Sequence, residues 1–143
     1  MQRDLASTAR IADVMSTPVT TVEPGLGVDE FLHDHVLHEH HNAFPVLRDG
    51  VVVGMVGLEN LRRPATGSWE GVTVGEIATP LFGVPILEPG GSLAEAMDEM
   101  ARLGVSRALV LEAGELVGIV THTDLVRALQ VHSLETARSG DSS

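Results

Sequence analysis

The segment Gly118-Ile119-Val120-Thr121-His122-Thr123-Asp124-Leu125 holds the groups best suited to gripping a small polar ligand. With a helix starting near Thr121, Asp124 stands in its first turn, where a carboxylate can accept hydrogen bonds from both hydroxyls of a ribose. Thr121 and the free N–H groups of that turn can hold phosphate. Just upstream, Ser106 and Arg107 add a hydroxyl and a guanidinium on an adjacent strand. The same Thr-x-x-Asp spacing is also an N-capping box, in which threonine and acid exchange hydrogen bonds with each other's backbone N–H. A cap and a ligand grip are compatible, so both roles stay open.

A second concentration of chemistry is His33, His35, His38, His40 and His41, with Asp34 and Glu39 among them. The spacing lacks His-Glu-x-x-His, because Asn42 stands where the second ligand would fall, and this favours solvated or interfacial histidines over a metal site. No cysteine and no lysine occur, which removes thiolate ligands, cysteine nucleophiles, Schiff-base chemistry and any P-loop. No Gly-x-Ser-x-Gly elbow occurs either. The residue types point to binding rather than catalysis.

The bulk properties narrow the partners. Acids outnumber bases 20 to 9 over 143 residues, a formal charge of −11. That balance argues against nucleic acid or an anionic membrane surface, since both are polyanions. The longest apolar run, Val51 to Leu58, is far too short to span a bilayer, and the first ten residues lack the apolar stretch of a signal peptide. A soluble cytoplasmic protein is the expectation. With 43% hydrophobic residues the chain can bury a core.

The elements that must position these groups occur twice. Val22-Glu23-Pro24-Gly25 recurs as Leu87-Glu88-Pro89-Gly90, an offset of 89 − 24 = 65. The run after Asp49-Gly50 recurs after Ala113-Gly114 at 114 − 50 = 64, and Asn60-Leu61 matches Asp124-Leu125 at the same offset. Thr17-Pro18 matches Thr79-Pro80 at 80 − 18 = 62. In the second copy, Ser92-Leu93-Ala94-Glu95 predicts a capping box. Leu93, Ala96, Met97, Met100, Ala101 and Leu103 then mark one helix face, with Glu95, Asp98, Glu99 and Arg102 opposite and Gly104 as terminator. Arg107 to Leu111 and Leu116 to Val120 read as a β-hairpin, Thr121 to Leu129 as a helix, and Val84 to Leu87 as a short leading strand. Each copy is therefore β-α-β-β-α. The boundaries are 10–63 for the first repeat, 64–71 for a linker, 72–130 for the second repeat and 131–143 for a polar tail.

Two such copies, each opening near Thr-Pro and the second closing in Gly-Ile-Val-Thr-x-x-Asp-Leu, resemble a CBS-domain pair (cystathionine-β-synthase-like, or Bateman module) over about residues 10 to 130. The resemblance implies an α+β fold of two subdomains about a pseudo-twofold axis. It also implies two clefts that often bind adenosine-containing ligands, and association of modules as a homodimer. Thr79, Pro80 and Leu81 match the family's opening segment, whose backbone reads the adenine edge beside apolar side chains. Carried onto this chain, the ligand-binding set is Thr79, Pro80, Leu81, Ser106, Arg107, Ala108, Thr121 and Asp124. The first copy departs from the pattern, with Gly57 and Asn60 in place of Thr121 and Asp124. Thr17, Pro18, Asn42, Phe44, Gly57 and Asn60 would then line a degenerate second cleft. In the second copy Leu109 replaces Pro45, a position the family often fills with proline.

The function implied is a non-catalytic regulatory sensor of AMP, ADP, ATP or another adenosyl ligand, with no metal, signalling through a conformational or dimer change to a separate regulated protein. The alternatives are a structural scaffolding dimer without ligand and, last, a histidine-based metal-binding protein. Histidines at a dimer seam would charge near pH 6 to 7, so acid is expected to loosen such a dimer.

Overall fold

Asp49-Gly50 and Ala113-Gly114 each adopt positive φ at both positions, 52° and 82° in the first and 52° and 83° in the second. Two successive left-handed residues make the tight turn whose twist matches that of paired strands, so each run folds back on itself as a hairpin. β1 (Ala43–Arg48) pairs with β2 (Val51–Gly57), and the second repeat forms its own antiparallel pair from Arg107–Glu112 and Glu115–Thr121. Both hairpins slip register at the same place, between Val46 and Leu47 and between Val110 and Leu111. Pro45 and Leu109 occupy equivalent pairs, opposite Met55 and Ile119. The duplication thus extends to a shared β-irregularity.

The computed structural model describes residues 9–17, 19–36, 43–62 and 69–140. In chain order the remaining elements are α1 (Ile11–Val14), α2 (Val28–Phe31) continuing into a π turn (Leu32–Val36), and a 3₁₀ turn at Leu58–Arg62. Then come α3 (Val74–Ile77), β3 (Thr79–Pro80), a 3₁₀ turn at Leu81–Gly83 and β4 (Ile86–Leu87). α4 (Leu93–Leu103) leads to the second hairpin, β5 (Arg107–Glu112) and β6 (Glu115–Thr121), and α5 (His122–Gly140) closes the chain. One sheet has the order β1-β2-β3 and the other β4-β5-β6. Isolated bridges complete the likeness: Val22 lies parallel to Val46 as β4 does to β5, and Ser16 lies antiparallel to Ile119 as β3 does to β2. By this pairing Ser16, not Thr17, stands where Thr79 does, one residue from the match drawn on Thr-Pro.

The compact units do not follow the repeat boundaries. One comprises Met1–Pro18 with Pro85–Ser143, and the other Val19–Val84. α1 docks on the second repeat, where the N–H groups of Ile11 and Ala12 reach the carbonyls of Gly91 and Pro89 at 3.0 and 2.9 Å. α3 docks on the first in the same way, with Val74 and Gly75 donating to Leu26 and Pro24 at 2.7 and 2.9 Å. Ile11 is fully buried with Leu93, Met100 and Leu125, and Val74 with Phe31, Phe44 and Val56. Complete burial of such a side chain is worth about 1.5–3 kcal/mol, so each leading helix is part of the core it enters.

Local signals hold best in the second repeat. α4 runs over the predicted residues, with Ser92 Oγ accepting the Glu95 N–H at 3.1 Å, the serine half of the box. Gly104 ends it at φ 67°. Leu93, Ala96 and Met100 are buried, while Ala101, assigned to the same face, is exposed at its rim. In the first repeat Gly27 takes the place of Ser92 as N-cap and offers no side-chain bond. There only four α-helical residues form before the wider turn. The Asp29 carbonyl receives both the Leu32 N–H and His33 Nδ1, the latter at 2.8 Å, so a side chain competes for the helix's own acceptor. Over the described residues the first copy's closing segment is a 3₁₀ turn, Leu58–Arg62. α5, in contrast, continues to Gly140, past residue 130 where a polar tail was expected.

Candidate functional site

β6 ends at Thr121 and α5 begins one residue later, which puts Thr121 and Asp124 on either side of a strand-to-helix switch. Thr121 Oγ1 accepts the Asp124 N–H at 3.1 Å, and Asp124 Oδ2 accepts the Thr121 N–H at 3.3 Å. The capping box is real, and it fixes the carboxylate by its own helix start. Ser106 is exposed, and its carbonyl accepts the His122 N–H at 2.8 Å, while half-buried Arg107 stands opposite Thr121 in the hairpin. Ser106, Arg107, Thr121 and Asp124 are therefore one constellation. Ala108 is the neighbour of Arg107 on the same strand. Paired with Val120 and fully buried in the core, its side chain has no surface to offer a ligand.

Asp124 also lines an open cavity of about 400 Å³. α5 contributes Asp124, Arg127, Ala128 and Val131, spaced as one helix face, and the α1 region contributes Ala9, Asp13 and Val14. The sequence reading did not include Asp13 and Arg127. The signal for Arg127 was present, because residues three, four and seven beyond Asp124 share its face. For α1 there was no local signal, since only the fold carries it to the second repeat.

The first-repeat motif is arranged differently. Asn60 Oδ1 accepts the Gly57 N–H at 2.8 Å, the counterpart of the Asp124–Thr121 bond. Asn60 Nδ2 donates to the Ile77 carbonyl at 2.8 Å and to Thr79 Oγ1 at 3.2 Å. Thr79, Pro80 and Leu81, assigned beside Asp124, lie in the unit of Val19–Val84 with Asn60, whereas Asp124 lies in the other unit. Pro80 pairs with Gly54 and is exposed. Phe44, assigned to the lining of the second cleft, is instead 1% exposed and packs edge-on against Phe31 at 5.3 Å. Thr17 is exposed, and Pro18 and Asn42 lie outside the described residues.

Of the histidine cluster, His33 is bonded to Asp29 as above. His35 packs 6.0 Å from the Phe31 ring and 5.7 Å from that of Phe44. His38, His40 and His41 lie outside the described residues. Among the described residues no group of three His, Cys, Asp or Glu is placed to hold a metal ion, and no helix is long and apolar enough to cross a membrane. The resolved electrostatic perturbations lie on surface groups. Hydrogen bonds from the Thr73 backbone and hydroxyl hold the Glu76 carboxyl below its ordinary range, and the paired Arg102 guanidinium does the same for Glu99.

The CBS domain model matches residues 11–65 and 74–131. The chain belongs to the CBS-domain family. Each matched repeat of the CBS pair opens on the short helix, α1 or α3, that docks on the other repeat. A Bacillus subtilis relative, the CBS domain-containing protein YhcV, is 34% identical over 134 residues and covers 90% of each chain. A Mycobacterium tuberculosis relative that is a zinc metalloprotease by name, Rip3, is 40% identical over 134 residues, 92% of this chain. This chain spans about a third of that relative's length, 34%. Among solved structures, the CBS domain of a bacterial CNNM/CorC family Mg2+ transporter in complex with ATP is similar at TM-score 0.73 and 22% identity, covering 87% of this chain and 89% of that one. The CBS domain pair of protein MJ0100, in complex with 5′-methylthioadenosine and S-adenosyl-L-methionine, is similar at TM-score 0.72 and 21% identity, covering 83% and 94%. At such identities the likeness carries the fold, that of a CBS pair.

Proposed function

We propose that this CBS pair senses an adenosine-containing ligand held at the start of α5. The observation that carries the reading is Asp124. Its carboxylate is fixed by Thr121 at a helix start and lines a cavity of about 400 Å³. An acid so placed can accept from both ribose hydroxyls, while the N–H groups of the first turn and Arg107 supply donors for a phosphate or carboxylate. The ligands named in the two solved neighbours, ATP in one and methylthioadenosine and S-adenosylmethionine in the other, share the adenosyl group and support that choice. Differential affinity for two conformations, or for monomer and homodimer, would turn occupancy into a signal. The regulated partner is then a protein or domain beyond this pair. With a chain charge of −11, affinity rests on local donors, and multiply charged anions gain least from it.

The test is thermal unfolding with AMP, ADP, ATP, NAD and S-adenosylmethionine. A ligand at 100 times its Kd stabilises by about 2.7 kcal/mol, a rise of several degrees for a domain of this size. Asp124→Asn keeps an acceptor for the Thr121 N–H but removes the charge, and the shift is expected to vanish while the unliganded midpoint changes less than in Asp124→Ala. A second reading, a scaffolding pair without ligand, is favoured by the internal use of the Asn60 amide. No shift with any of the five compounds decides for the scaffold.

A further inference from the structure

We infer that Asn60 is a latch that closes the first repeat's motif, so that the pair takes one ligand per chain. The two repeats present equivalent parts. Asn60 corresponds to Asp124, Gly57 to Thr121, and α3 with its last residue Ile77 to α1 with its last residue Val14. A helix end leaves carbonyl groups without an intrahelical partner, and each needs a donor. In the first motif Asn60 supplies one, donating to the Ile77 carbonyl at 2.8 Å and to Thr79 Oγ1 at 3.2 Å. A carboxamide has two N–H donors, and both are engaged. Its oxygen already holds the Gly57 N–H at 2.8 Å. The amide thus ties the 3₁₀ turn at Leu58–Arg62 to the end of α3 and the start of β3, and its donors are spent inside the motif rather than offered to a ligand.

An aspartate cannot make this connection, because an ionised carboxylate donates nothing. In the second motif Asp124 and Val14 line the cavity instead of being joined. One change of side-chain chemistry, amide against acid at equivalent positions, separates a closed motif from an open one. The stoichiometry rests on the reading of Asp124 given above, whereas the latch rests on its own three hydrogen bonds.

Two measurements on the whole chain test this. In Asn60→Ala and Asn60→Asp, hydrogen exchange at the Ala78 and Thr79 amides is expected to accelerate about tenfold, with exchange along β6 unchanged. Unchanged exchange at Ala78 and Thr79 in both variants overturns the latch. Calorimetric titration with AMP, ATP and S-adenosylmethionine in turn is expected to give one equivalent per chain for each compound that binds, lost in Asp124→Asn and retained in Asn60→Ala. Two equivalents in the wild type, one of them lost in Asn60→Ala, overturns the single site. If none of the three binds, the reading of Asp124 fails, while accelerated exchange in the Asn60 variants still establishes the latch.

Discussion

The first repeat and the second share hairpins with the same turn and the same register slip, yet they differ wherever a side chain had to finish what the backbone began. Ser92 starts an eleven-residue helix where Gly27 starts a four-residue one. Asp124 lines a cavity where Asn60 bonds to Ile77 and Thr79. Duplicated backbones are held by features that tolerate many sequences, namely a two-residue turn and strand pairing. Caps and sites depend on single polar atoms, so one substitution is enough to separate the two copies there. On the proposed function, the first repeat would be the structural half and the second the binding half.

The sharpest way to break that comparison is at its equivalent glycines. A Cβ on Gly54 would collide with the Thr79 carbonyl oxygen, a backbone atom, so Gly54→Ala must force β2 and β3 apart. The expected loss is about 2–4 kcal/mol by denaturant unfolding. A Cβ on Gly118 would meet Met15 Sδ at 2.7 Å and Cγ at 2.9 Å, atoms of a flexible side chain that can rotate away. Gly118→Ala is expected to cost roughly 1 kcal/mol, within the ordinary range for single substitutions. Equal losses at the two sites would show that both third-strand contacts are equally rigid.

The caps come next. Ser92→Ala removes the bond to the Glu95 N–H and is expected to cost about 1 kcal/mol. Gly27→Ser supplies the missing acceptor at an extended position (φ −68°, ψ 145°), where an added Cβ would meet only Glu30 Oε1 at an ordinary 4.0 Å, and should stabilise by about a few tenths of a kcal/mol. A destabilising Gly27→Ser would show that the short first helix is set by its π turn rather than by its cap.

The smallest effect concerns α3. The Thr73 backbone N–H and hydroxyl donate to Glu76 Oε2 at 2.7 and 3.1 Å and hold its carboxyl below the ordinary value of 4.5. A depressed folded value stabilises the protein above the unfolded value, and that stability is lost as pH falls through the folded one. Stability measured across the acid limb below about pH 4.5 should therefore fall less steeply in Glu76→Gln than in the wild type. Identical slopes would remove this cap from the account.

Much of the fold was legible because its signals are local. The helix of Leu93–Leu103 and its Gly104 terminator follow from apolar spacing and a left-handed glycine, and both hairpins follow from two-residue turns between apolar runs. The switch from α-helix to π turn after Phe31 was less legible, since the apolar spacing there resembles that of α4, while Gly27 gives no side-chain cap and His33 bonds to the Asp29 carbonyl. Phe44 and Ala108 were placed at ligand clefts by their neighbours in the chain, but alternation along a strand points them into the cores. Thr121 and Asp124 were found, while the cavity that Asp124 lines was not, because Ala9, Asp13 and Val14 reach it from the α1 region.

By itself, then, the sequence determined the duplication, from blocks that recur about 64 residues apart, and the hairpins, the helix of Leu93–Leu103 and the acid at the start of the last helix, from spacing within a dozen residues. Only the tertiary structure decided that α1 completes the second repeat and α3 the first, that Asp124 borders a cavity, and that Asn60 closes its own motif. The physical reason is the reach of the interactions. Caps and turns are made between near neighbours, whereas Asn60 bonds residues 17 and 19 positions away and Ile11 is buried beside residues more than 75 positions on. Such partners are chosen by which carbonyls and apolar faces the fold leaves unsatisfied, and no local pattern records them.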